Sequence, residues 1–158
     1  MLKHNSRQVM ITLKSEQWSP TEHPQPMTLI TEGRLEQFDD RWVISYDESE
    51  ATGMKGTKTF VTLFGDGRVR LTRHGTVPMD MVFSEGLQHI SQMKTEYGAF
   101  DIAISTHKVS GEMSDDGGHI ELGYSLNFSF KDRVSTKLDL VVEPLKNADK
   151  QDKNLPLN

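Results

Sequence analysis

The sequence predicts an all-β protein, a single antiparallel up-and-down barrel of about eight to ten strands, and three observations carry that prediction. Apolar residues recur at every second position in almost every apolar run, which is the period of a strand with one buried face. Clusters of turn-forming residues, such as Gly65-Asp66-Gly67 and Ser114-Asp115-Asp116-Gly117-Gly118, separate the runs at short intervals, so neighbours in sequence become neighbours in a sheet. No segment carries a capped helical stripe, although residues 84–93 also admit a short helix.

Taken in order, Val9, Ile11 and Leu13 share one face of a first strand. Pro20, Pro24 and Pro26 then predict a break over residues 17–26, because proline cannot donate to a ladder. Met27, Leu29, Gly33 and Leu35 line a second strand, and residues 38–42 form a hairpin connection into a third over residues 42–48. The Gly-bearing stretch 51–56 leads to a fourth strand over residues 57–64, and Gly65-Asp66-Gly67 turns the chain into a fifth over residues 68–74. Met79, Met81 and Phe83 give a short sixth strand, Ser84-Glu85-Gly86 turns it, and residues 87–95 make the seventh. Phe100, Ile102 and Ile104 mark the eighth; Ile120, Leu122, Tyr124, Leu126 and Phe128 alternate without fault through the ninth; Val134, Leu138, Leu140 and Val142 close the series. A meander of this length must stack as a sandwich or curl into a barrel to protect its edges, and the barrel is favoured.

At 158 residues the chain falls within the size of one domain, with its core over about residues 7–143 and a polar tail, 144–158, expected to fray. The absence of cysteine removes disulfides, thiolate metal sites and thiol nucleophiles together, and favours a reducing compartment, the cytoplasm. The first residues are basic but no apolar core of export-signal length follows, and no run approaches about eighteen apolar residues, so neither export nor membrane insertion is expected. A net charge of −5 opposes phosphate backbones. The local cluster Arg68, Arg70, Arg73 and His74 reads more readily as a solvated face than as a nucleic-acid surface.

Several short motifs resemble one family in order and spacing: Tyr46-Asp47-Glu48, then Gly53-Met54-Lys55-Gly56-Thr57-Lys58-Thr59, Arg73-His74-Gly75, Met79-Asp80-Met81-Val82-Phe83, Thr95-Glu96-Tyr97-Gly98, and Gly117-Gly118 ahead of Tyr124. Over roughly residues 9–130 the chain is similar to the YwiB-like family of small bacterial proteins, also called DUF1934. The resemblance implies a calycin-like barrel, related in shape to lipocalins, in a cytoplasmic bacterial protein, and it brings no established activity. One fold hosts many functions, so the site must be argued from residues.

Polar residues in phase with an apolar face are the candidates. Tyr46 and Glu48 share parity with Trp42 and Ile44, and Arg73 shares parity with Val69 and Leu71, so all three are expected inside the barrel. On the structural reading, Glu48 and Arg73 neutralise each other and fix register. On the functional reading, Arg73 offers its planar fork to an anionic ligand with Tyr46 assisting. His74, His89, His107 and His119 lack metal-site spacing, so no metal and no cofactor is expected. No catalytic signature appears, and the nearby carboxylates Asp47, Glu48 and Glu50 read as solvated or structural, so the protein is not expected to be an enzyme. Met54, Met79, Met81 and Met93 suit either a pliable cavity or an ordinary core. The expectation is a binding protein, monomer or homodimer, for a small apolar or amphipathic anion at Arg73, Tyr46 and Glu48, with no nucleic-acid or membrane partner. The alternative is a filled barrel that serves as an interaction or structural module without a ligand.

Overall fold

In a computed structural model, residues 5–128 and 131–145 are described, and they form one sheet. Its strands are β1 (Asn5–Ser19), β2 (Glu22–Gln37), β3 (Arg41–Asp47), β4 (Thr57–Phe64), β5 (Val69–Gly75), β6 (Met79–Phe83), β7 (Gln88–Thr95), β8 (Gly98–Ser114), β9 (Gly117–Phe128) and β10 (Lys131–Pro144), with a 3-10 turn at Glu50–Thr52. Residues 84–93 contain no helix: the short-helix alternative gives way to β7. The predicted tail beyond residue 145 lies outside the described residues.

All neighbours are antiparallel, and the order is β6-β5-β4-β3-β2-β1-β10-β9-β8-β7. The first and last strands pair with each other, Val9 opposite Pro144 and Trp18 opposite Ser135, so β1 and β10 lie in the middle of the strand order. The sheet's free edges are β6 and β7, which are consecutive in sequence and joined by a tight turn in which the Leu87 N–H donates to the Ser84 carbonyl at 3.0 Å. The result is a nearly closed barrel whose one seam is bridged by side chains: the Ser91 hydroxyl donates to the Asp80 carbonyl across it at 2.5 Å.

The interior is filled by the inward set of every strand, with Ile11, Ile44, Phe83, Ile104 and Ile120 wholly buried. Such alternation fixes register, since a slip of one residue would expose this whole set. Gly33 lets β2 curl: a Cβ there would lie 2.3 Å from Ile11 Cδ1 and 2.5 Å from the Ser45 carbonyl.

Three strand readings need correction. The proline stretch does not break the ladder, since Glu16 pairs with Pro26 and Gln17 with Gln25 in a long β1–β2 hairpin. The reason is position: β2 pairs with β3 only over Arg34–Gln37, so at Pro24 and Pro26 its other side is a free edge where a missing N–H costs nothing. β8 runs well past Ile104, because a bulge at His107 inserts an extra residue between Thr106, opposite Tyr124, and Lys108, opposite Gly123. Before it Ile102, Ile104 and Thr106 face inward; after it His107 and Lys108 both face out and Val109 faces in, so period-two reading fails at that point. The fifth strand starts at Val69 rather than Arg68, whose backbone N–H is tied to the Asp66 carboxylate in the turn.

Candidate functional site

The three residues singled out by parity converge inside one end of the barrel. Thr59 on β4 lies opposite both Tyr46 on β3 and Arg73 on β5, so Tyr46, Thr59 and Arg73 form one inward row. Glu48 follows β3 directly; its N–H donates to the Thr57 carbonyl at 2.9 Å, which carries the strand's inward parity one step further. Its side chain is only 1% exposed.

A charge so deeply placed needs partners. Glu48 Oε2 accepts from the Thr59 hydroxyl, and Oε1 accepts from the Thr52 hydroxyl at 3.0 Å. Thr52 reaches it from the 3-10 turn, which Ser49 caps by accepting the Ala51 N–H at 3.2 Å. Arg73 Nε donates to Thr59 Oγ1 at 3.3 Å and lies 3.8 Å from Glu48 Oε2. Thr59 is thus a relay, accepting from the cation and donating to the acid. The structural pairing foreseen from parity is present, but it engages only the Nε edge of the guanidinium. Among the described residues no hydrogen-bond acceptor meets the two terminal nitrogens of Arg73, whose side chain is 18% exposed.

A second polar row faces this one from the other half of the barrel, where Tyr124 on β9 lies opposite Thr106 on β8 and Thr136 on β10. Thr136 leans on the Tyr124 hydroxyl, yet neither its Oγ1 nor that of Thr106 has a partner of hydrogen-bond geometry among the described residues, and both are buried. Buried hydroxyls are rarely left so without water or ligand. Burial disfavours ionisation of the Tyr124 phenol and pushes it above the usual tyrosine range. Burial, reinforced by the Glu48 charge, pushes the Tyr46 phenol up from 10.0 to about 12. Both phenols therefore stay neutral hydrogen-bonding groups.

This shift has a consequence for stability. The folded state holds the Tyr46 proton more tightly than the unfolded chain, so the stabilisation is complete below pH 10.0 and is lost as pH rises towards about 12. Alkaline unfolding followed by circular dichroism should begin in that window, and Tyr46→Phe should flatten the slope there by the equivalent of about 1–3 kcal/mol; an unchanged slope would contradict the assignment to Tyr46.

Sequence reasoning missed Thr59, Thr52 and the Thr106–Tyr124–Thr136 row. Thr59 carried a signal in its shared parity with Val61 and Leu63. The basic cluster does not form one face: Arg68 pairs with Asp66 and Arg70 with Asp80, both at the surface, while Arg73 turns inward. Of the four methionines, Met81 is core, Met79 and Met93 pack against it, and Met54 lies in a connection. Among the described residues no group of three or more His, Asp or Glu comes close enough to hold a metal. Among the described residues no helix is long and apolar enough to cross a membrane.

The sequence profile of the domain of unknown function DUF1934 matches residues 11–140. The chain belongs to the DUF1934 family. It is 27% identical over 84 residues to the uncharacterized β-barrel protein YwiB of Bacillus subtilis (strain 168), a match covering 53% of this chain and 57% of that protein, so it spans little more than half of that relative's length. The crystal structure of the ywiB protein from Bacillus subtilis superimposes with a TM-score of 0.77 at 19% identity, covering 88% of this chain and 92% of that one. At that identity the likeness establishes the fold and leaves the site of this DUF1934 chain to its own residues.

Proposed function

We propose that this DUF1934 protein is a non-catalytic binding protein of the cytoplasm that takes a small anion, with at most a short apolar tail, at the Arg73 end of the barrel. The observation that carries this reading is the guanidinium whose Nε edge is engaged by Thr59 while its terminal nitrogens meet no acceptor among the described residues. A carboxylate docking there would make paired charge-assisted bonds. Tyr46 supplies a neutral phenol beside it, and the orphan hydroxyls of Thr106 and Thr136 offer further polar partners. The core fills the rest of the interior, which argues for a small anion over a lipid-sized one.

The test is titration with short-chain carboxylates, followed by native mass spectrometry of protein purified from its own host. Arg73→Ala should weaken carboxylate binding about tenfold or more, the value of a charge-assisted hydrogen bond. Equal binding by wild type and variant would remove the proposal. A second reading, self-association without a ligand, rests on Leu87 and Ile90, 64% and 57% exposed on and beside the edge strand β7. A defined dimer mass with no co-purifying small molecule would favour it.

A further inference from the structure

Outside the barrel, and independent of Arg73, a cleft of about 370 Å³ opens on the wall formed by β8, β9, β10 and the end of β1. Its floor exists because Gly123 has no side chain: on the outer face Gly123 lies between Lys108 and Lys137, its cross-strand partners, and a Cβ there would make only ordinary contacts with Lys108, 3.5 Å from its Cβ and 3.9 Å from its N. Both walls are set by irregularities in the ladder. The His107 bulge turns His107 and Lys108 to the same outer face, and a register shift between Gln17 and Ser19 marks the position of Trp18, whose indole walls the opposite side at 37% exposure. Bulges that re-aim side chains concentrate next to functional sites.

The polar groups around this apolar hollow are already ordered. His107 Nε2 shares a hydrogen bond with the Ser125 hydroxyl at 3.0 Å, and Ser125 with Ser135 at 3.3 Å. Lys108 is held by Glu121 at 2.6 Å. Lys137 and Asp139 complete the rim and also border a neighbouring cleft of about 190 Å³. Two ammonium groups face two carboxylates, so the rim has no net preference for either sign of charge. It offers donors and acceptors in alternation around one aromatic wall.

We propose that this cleft is a binding site for a neutral saccharide of at least two rings. A pyranose presents a polarised C–H face to the electron-rich face of an indole and a girdle of hydroxyls to surrounding donors and acceptors. An ionised ligand would leave one half of the balanced rim unmatched. The adjoining cleft gives a second ring its place beyond Lys137 and Asp139.

The test uses glucose, N-acetylglucosamine, cellobiose and N,N′-diacetylchitobiose as probes, with Trp18 fluorescence read in a Trp42→Phe background. At least one disaccharide should bind with a dissociation constant in the range of about 0.1–10 mM, and more tightly than its monosaccharide. Gly123→Val suits an extended strand and fills the floor, so it should weaken binding at least tenfold with an unchanged circular dichroism spectrum. Trp18→Ala, followed by calorimetry, should do the same, and Arg73→Ala should leave saccharide binding intact, which separates this site from the interior one. Three results would overturn the proposal: no response to any of the four sugars up to about 20 mM, undiminished binding by folded Gly123→Val, or a response to free indole alone.

Discussion

Glu48→Ala should lower the unfolding free energy by about 3–5 kcal/mol, the cost of leaving the other members of a buried charged network uncompensated. The truncation strips Thr59 and Thr52 of their acceptor and leaves the Arg73 guanidinium without its only nearby carboxylate among the described residues. For a domain of this size that loss corresponds to a fall in Tm of about 6–20 °C, readable by calorimetry alongside urea melts. The partner variant separates pair from network. Arg73→Met leaves the acid with its two threonine donors, whereas Glu48→Ala strips three groups of their acceptor, so the loss should be clearly smaller. The double variant Glu48→Leu with Arg73→Met should then recover part of the Glu48→Ala loss, because an apolar pair of similar volume avoids desolvating two charges. If Glu48→Ala melts with wild-type Tm, the carboxylate is not the keystone of this end of the barrel and the orientation of Arg73 must have another cause.

That hierarchy was only partly legible in the amino-acid order. Parity placed Tyr46, Glu48 and Arg73 inside, because strands β3, β4 and β5 are regular and pair in sequence order, so local alternation and global position agree. Thr59 shared the inward parity of Val61 and Leu63, but its role was hidden for a chemical reason: threonine is at home on either face of a strand, and a relay depends on having a charged partner to each side. Where ladders slip, local reading failed. The extra residue at His107 reverses the inward parity of β8, and the β1–β2 irregularity marks Trp18; both arise in how a strand pairs with its neighbour, which period-two reading of a single strand does not show, and the cleft also needs Trp18 beside Ser135 on the distant β10. The prolines failed in the opposite sense. Pro24 and Pro26 are tolerated inside a strand because the far side of β2 has no neighbour to disappoint, a fact of topology rather than propensity. The pairing of β1 with β10, which puts the seam at the middle of the chain, likewise joins segments too distant for any local signal.

The seam leads to the second large effect. β6 is laddered only to β5, and β7 only to β8, so the barrel's closure depends on side chains that cross between them. Phe83 is the principal one: it is wholly buried at the end of β6, and its ring lies 4.6 Å from that of Tyr124, tilted at 46°, on β9 in the opposite half of the sheet. Phe83→Ala should therefore cost about 3–5 kcal/mol through lost burial and the cavity left behind, to which the ring contact adds about 0.5–1.5 kcal/mol. Phe83→Leu, which keeps most of the volume, should cost less than about 1.5 kcal/mol. The two losses should also differ in where they fall. Native-state hydrogen exchange on Phe83→Ala should release the amides of β6 and β7 first while β1 and β10, each laddered on both sides, stay protected. A uniform loss of protection across all strands would mean that the seam opens only with global unfolding, and that the ladder between the first and last strands shares its fate with the closure rather than outlasting it.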